Sequence, residues 1–241
     1  MKYLFSCLLL IISFSLSSQS DCDCSRNVEI LNKTVQNLPV TRNTSDLSAY
    51  NIALSAADNH LYTGNYPEYD CFQQMSNLLV TLNDRHNMMY SEVGYDVKQS
   101  DTFYHEFPKF DGDLDSLKVK LDEMPLNEVQ GIYSRDGFSI GVYASEENLI
   151  VVNLSGGKKV WQQGEIIGRF LKYGNGRYLA AIGQFHDKKL VNFPLEISNG
   201  HISKLQLSKS SASQNRSRVE DSETYQYLKS GDITYLRIGS F

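Results

Sequence analysis

Proline is scarce in this sequence, neither glycine nor basic charge is in excess, and long apolar runs are almost absent. With 5 prolines and 16 glycines in 241 residues, the fibrous and low-complexity classes are excluded. Twenty-three basic residues against 28 acidic ones leave a net charge of −5, which gives no electrostatic reason to expect a nucleic-acid partner. Only one long apolar run occurs, at the very start, so the remainder is expected to be soluble and to carry no membrane span. What the sequence does have is apolar mass. Its 41% hydrophobic and 11% aromatic content is too high for a disordered chain. The length suits one large or two small domains, each able to bury a core.

The initial run has the form of a targeting signal. Lys2 is followed by apolar residues from Tyr3 to Leu16 and then by small polar residues, with Ser18 and Ser20 at the expected cleavage positions. The run has no polar face, and it is shorter than the roughly 20 residues of a permanent span. Residues 1–20 therefore read as a secretory signal cut before Asp21, and the mature chain is expected to be secreted or periplasmic. Gln19-Ser20-Asp21 before Cys22 does not resemble a lipid-attachment site.

The mature chain keeps Cys22, Cys24 and Cys71. In an oxidising compartment either of the first two can bridge to Cys71 and pin the N-terminal tail to a later helix, leaving one thiol over. A metal site at Cys22-Asp23-Cys24 has no further ligands nearby in sequence. No metal and no cofactor is expected.

From Ser45 to about Glu123 the pattern is helical. A stretch rich in alanine and leucine opens at Asp46 and runs to Leu61, and Gly64-Asn65-Tyr66-Pro67 breaks it. Cys71 or Phe72, Met75, Leu78, Leu79 and Leu82 then recur at three- and four-residue spacing, a stripe that faces a core. Asn83-Asp84 ends that helix. A shorter one spans Leu114 to Met124, with Asp113 as its N-cap.

After Pro125 the period becomes two. Strands are expected at 138–143, 149–154, 166–173, 177–185, 190–197 and 202–207, separated by Gly174-Asn175-Gly176, His186-Asp187-Lys188 and Ser198-Asn199-Gly200. An antiparallel meander of about six strands tends to close into a small barrel. The fold class is α+β: residues 21–124 helical, 125–207 a β module, 208–224 a polar linker, and 225–241 the start of another element. Ile233 to Ile238 reads there as a buried strand, left without a partner by the end of the chain.

Several motifs carry chemistry elsewhere but not in this context. Gly137-Phe138-Ser139-Ile140-Gly141 has the nucleophile-elbow pattern, yet a strand follows the serine where the elbow needs a helix. Asp111, Asp113 and Asp115 begin like a calcium loop, but Ser116 and Asp122 stand where glycine and glutamate are required. Helix capping explains these carboxylates. The turns 155–158 and 174–176 do not lead into helices, so they read as hairpin turns and not as phosphate cradles. Sequons occur at Asn32, Asn43, Asn153 and Asn215. Of five histidines, His60, His86, His105, His186 and His201, no two have ligand spacing on one helix. His86, just beyond a helix end, is either a charge partner of the helix dipole or a positioned acid–base group.

The segment Leu78 to Met89 resembles the leucine-rich helix and Asp-Gly-His-Thr motif of the tail-specific, or C-terminal-processing, serine protease family, with Arg85 and Asn87 in place of the glycine and threonine. Pro125 to Tyr133 with Phe138 to Tyr143 is similar to the opening of a β-rich insert in secreted members of the Bacteroidetes type. Thr234 to Phe241 is similar to the first strand of the protease core. Order and spacing agree over residues 45–241. The resemblance implies a helical subdomain, a β module and then an α/β core, of which this chain holds only the first strand. It implies a serine-type peptidase whose nucleophile and lysine lie outside this chain, with His86 as general base by analogy to the tricorn-like branch. The partner it implies is a polypeptide substrate. The other readings are a peptide- or glycan-binding β module, with Tyr133, Tyr143, Trp161, Tyr173 and Tyr178 as its aromatics, and a pseudoprotease scaffold.

Overall fold

The computed structural model describes residues 23–38, 47–60, 67–83, 88–91, 107–145, 148–155 and 160–210, and the backbone alone of 225–230 and 233–238. The expected signal 1–20, Cys22, His86, Asn43, Asn215 and the linker from residue 211 lie outside the described residues.

Among the described residues four helices precede or border the β module: α1 (Cys24–Asn37), α2 (Ser48–His60), α3 (Pro67–Val80) and α4 (Leu114–Asp122). Helix α1 lies within the expected helical subdomain but ahead of Ser45, where the helical pattern was expected to begin. Asp23 caps it by accepting the Arg26 N–H at 3.0 Å. Val28 and Val35 are buried and Leu31 packs beside them, so seven-residue spacing turns one face inward. A disulfide joins Cys24 to Cys71, fixing α1 to α3 and deciding which of the two early cysteines bridges.

Helix α3 realises the expected stripe. Cys71, Phe72, Leu78 and Leu79 are buried, while Met75 and Leu82 are partly buried against the same core. Pro67 sits at the first helical position, and Glu68 and Asp70 place negative charge in the first turn. The following turn ends at Asn83, whose φ of 49° is the left-handed conformation that stops helices. Helix α4 is capped as expected, with the Asp113 carboxylate accepting from the Asp115 and Ser116 N–H groups.

Nine strands build one sheet: β1 (Met89–Tyr90), β2 (Gly131–Arg135), β3 (Phe138–Ser145), β4 (Asn148–Asn153), β5 (Ile166–Gly174), β6 (Arg177–Gly183), β7 (Leu190–Ser198), β8 (His201–Ile202) and β9 (Leu207–Ser208). Strands β2 to β9 follow one another in space as in sequence, and β9 returns to β2 through Ser134 and Ser208. The result is a closed, antiparallel eight-stranded barrel, with β1 added to the outer edge of β7. The β2–β3 turn places Asp136 and Gly137 at φ 51° and 76°, and the β7–β8 turn places Asn199 and Gly200 at 47° and 71°, as hairpins of right-handed twist require. Gly168 lets β5 and β6 approach: a Cβ there would stand 2.1 Å from the Ala181 carbonyl oxygen.

Two expectations are corrected. Residues 202–207 are not one strand. They form β8, a tight turn with Lys204 and Gln206 at positive φ, and β9. Ile233 to Ile238, expected to have nothing after it to pair with, takes its partner from the segment before it. It is strand β11 (Ile233–Ile238), antiparallel to β10 (Tyr225–Ser230), with Tyr227 opposite Leu236 and Leu228 opposite Tyr235. This hairpin forms a sheet separate from the barrel. Among the described residues no helix is long and apolar enough to cross a membrane.

Candidate functional site at the helix and barrel junction

Helix α3 lies against β5, β6 and β7, and its inward face is not purely apolar. Gln73 Nε2 donates to the Ala181 carbonyl at 3.0 Å. One turn later, Ser76 Oγ accepts from Asn192 Nδ2 at 3.3 Å, and Asn192 Oδ1 accepts the Met89 N–H at 2.6 Å. Gln73, Ser76 and Asn192 are all buried. This seam ties α3 to the barrel wall and, through Met89, to β1. A buried polar group left unpaired costs about 1–3 kcal/mol, so the three bonds fix the docking register of the helix.

At the start of α3 a second polar group gathers. Tyr69 is buried edge-on to Phe107, with ring centroids 5.4 Å apart. Arg169 of β5 lies close enough to Tyr69, Asp70 and Tyr143 to act on the charge of each. Burial holds the Tyr69 phenol far above its ordinary range, against the opposing pull of Arg169. Burial also raises the Asp70 carboxyl, and Arg169 again opposes it. Arg169 Nε and Gln73 Oε1 are buried with no hydrogen-bond partner among the described residues.

Beyond Phe107 the packing continues to Trp161, centroids 4.7 Å apart, and to Lys188. Lys188 Nζ stands 4.8 Å from the Trp161 ring and 5.3 Å from that of Phe107, and it donates to Glu165 Oε1 at 2.8 Å. Glu165 Oε2 accepts the Gln162 N–H at 2.7 Å. Desolvation lowers the Lys188 ammonium below its ordinary range, while Glu165 pulls it back up. Lys188 also holds a left-handed φ of 59°, so the turn between β6 and β7 presents it inward.

The structure brings some of the sequence candidates together and separates others. Cys24 and Cys71 are bonded. His86 lies outside the described residues, in the stretch between Asn83, which ends the turn after α3, and Met88, which precedes β1. Ser139 lies within β3, and its N–H donates to Ser155 Oγ at 3.0 Å. Asp113 caps α4 and Asp115 pairs with Lys118 at 3.1 Å, as capping predicts. His186 is exposed beside Asp187. His201 Nδ1 lies 3.1 Å from Ser208 Oγ, but these are cross-strand neighbours at the barrel seam and Ser208 is buried. Among the described residues, no three His, Cys, Asp or Glu side chains are placed to hold a metal.

Of the aromatics weighed as a ligand platform, Trp161 is 3% exposed and donates its indole N–H to the Gln184 carbonyl, and Tyr133 and Tyr178 are also buried. These three serve the core. Tyr143 and Tyr173 are half-buried. The sequon asparagine Asn153 is wholly buried, with its amide on the Gln162 carbonyl, and so offers no acceptor for a glycan. Asn32 is half-buried in α1.

Sequence reasoning missed Asn192, Lys188 and Glu165. Asn192 carries a signal in hindsight, a lone amide inside an apolar strand. Compared with protein-family models, with curated proteins and with solved structures, the chain gives no significant match.

Proposed function

We propose that this chain is the N-terminal, non-catalytic portion of a secreted serine-type peptidase. The observation that carries the reading is the β10–β11 hairpin. Its register sets positions Tyr225, Tyr227, Leu236 and Ile238 on one face with Lys229 and Thr234, and Leu228, Ile233 and Tyr235 on the other with Gln226, Ser230 and Arg237, so apolar positions occur on both faces. A two-stranded ribbon is marginal alone, and strands with apolar positions on both faces suit a sheet covered on both sides, as in an α/β core. The order of helices, barrel and hairpin also agrees with the order that the resemblance implies. The Cys24–Cys71 bridge fits an oxidising, extracytoplasmic compartment.

In this reading the complete enzyme works by acyl transfer. A serine from the core attacks the peptide carbonyl, backbone N–H groups hold the oxyanion, and water releases the product. His86 is the proposed general base. Helix α3 and β1 hold the two ends of its segment, and the Ser76–Asn192–Met89 bonds link those ends.

The chain from residue 21, purified alone, should neither hydrolyse casein nor react with a fluorophosphonate probe. Hydrolysis that the probe abolishes would overturn its non-catalytic status. Sequencing the DNA beyond the Phe241 codon should read on into a core with a serine in a glycine-rich turn. A stop codon there would overturn the assignment to a longer peptidase.

A further inference from the structure

Lys209, directly after β9, sends its side chain into the turn between α4 and β2. Its Nζ donates to the carbonyls of Pro125 at 2.7 Å, Glu128 at 2.8 Å and Gln130 at 2.6 Å. An ammonium has three N–H donors and no acceptor, so these carbonyls use its whole capacity. The Tyr133 ring lies beneath, its centroid 5.6 Å from Nζ, and the Tyr133 hydroxyl donates to the Val129 carbonyl at 2.7 Å, which steadies the same turn. On the remaining side stands Gly131, at a φ of 151°. A Cβ there would come within 2.5 Å of Lys209 Cε and 2.8 Å of Nζ. Lys209 is 4% exposed.

Carbonyl oxygens that converge on one point can replace the hydration shell of a monovalent cation, and an aromatic face adds to the attraction. We propose that the 125–130 turn is a binding site for an ammonium-sized monovalent cation, filled in this chain by Lys209 as a tethered guest. The occupied site latches the end of the barrel onto the turn that precedes its first strand. This inference is independent of the peptidase reading, since it needs no activity and no residue beyond 210.

The test vacates the cradle and offers it a free cation. In Lys209→Ala three carbonyls lose their donors, and the melting temperature should fall. Free ammonium should then restore more than half of the loss at about 0.1–1 M, since a tethered group has an effective concentration of millimolar order or above. Sodium and tetramethylammonium at equal ionic strength should not, the first being too small and the second lacking N–H donors. Lys209→Met, which fills the cradle with a thioether, should show no ammonium-specific recovery. Equal effects of all the salts on Lys209→Ala, or recovery of Lys209→Met by ammonium, would overturn the proposal. If Lys209→Ala does not fold in sodium chloride, refolding yield in the same salts gives the same readout. In the unmodified chain, the Lys209 ammonium should give a slowly exchanging nitrogen-15 resonance that Lys209→Met lacks, and its absence would equally count against the site.

Discussion

Lys188 Nζ lies 2.8 Å from Glu165 Oε1, and the two side chains are 2% and 6% exposed. Removing one member of such a pair leaves a charge buried without its partner. Glu165→Leu should therefore destabilise the chain by about 3–5 kcal/mol. The double variant Glu165→Leu with Lys188→Met, which removes both charges, should be more stable than Glu165→Leu alone. Urea unfolding of the wild type, the two single variants Glu165→Leu and Lys188→Met, and the double variant closes the cycle. A double variant no more stable than Glu165→Leu would show that the pairing of charge is not the cause.

The Cys24–Cys71 bridge closes a loop of 47 residues in sequence separation. Chain entropy for a loop of that length gives a stabilisation of about 4 kcal/mol as an upper figure. Cys71→Ser should lose most of it, and reduction of the wild type should lower its melting temperature to a similar degree. A melting temperature that ignores reductant would contradict the bridge.

Asp70 supplies a pH dependence with a definite sign. Burial raises its carboxyl above the ordinary value, with Arg169 in opposition. The folded chain thus holds this proton more tightly than the unfolded chain does. The contribution to stability is full below the unfolded value and is lost as pH rises through the folded one. Asp70→Asn should gain on the wild type between pH 4 and pH 7 in paired thermal melts. A constant difference across that range would refute the assignment.

The strands were legible from β3 to β7 because each is an apolar-rich run, alternating in part of β3 and continuous in β4 and β6, between recognisable turns, and their bounds agree closely with those expected. Helix α3 was legible for the same reason, from its single apolar stripe. Helix α1 was not, because its inner face is marked only by Cys24, Val28, Leu31 and Val35, while the apolar Ile30 is exposed and blurs the stripe. Residues 202–207 misled because Leu205 and Leu207 continue the apolar pattern through a turn whose shape depends on Lys204 and Gln206 taking left-handed backbone. The polar contacts lay further from view. Ser76 and Asn192 are 116 residues apart in sequence and Lys209 and Gln130 are 79 apart, so no local pattern can pair them. His86 was picked out through resemblance to a family and not through any periodicity.

The closure of the barrel has a kinetic side. Every pairing from β2 round to β9 joins strands that are neighbours in sequence, so the sheet can grow hairpin by hairpin at small cost in loop entropy. Ser134 with Ser208 is the one ladder contact that must gather the ends of the whole meander. The barrel is thus a zipper whose ladder closes through one long-range pairing, beside which the Lys209 bonds to Pro125, Glu128 and Gln130 hold the same two ends. The seam between β2 and β9, with one ladder pair where every other pairing in the ring has two or more, is where the closed ring is held by the fewest backbone bonds.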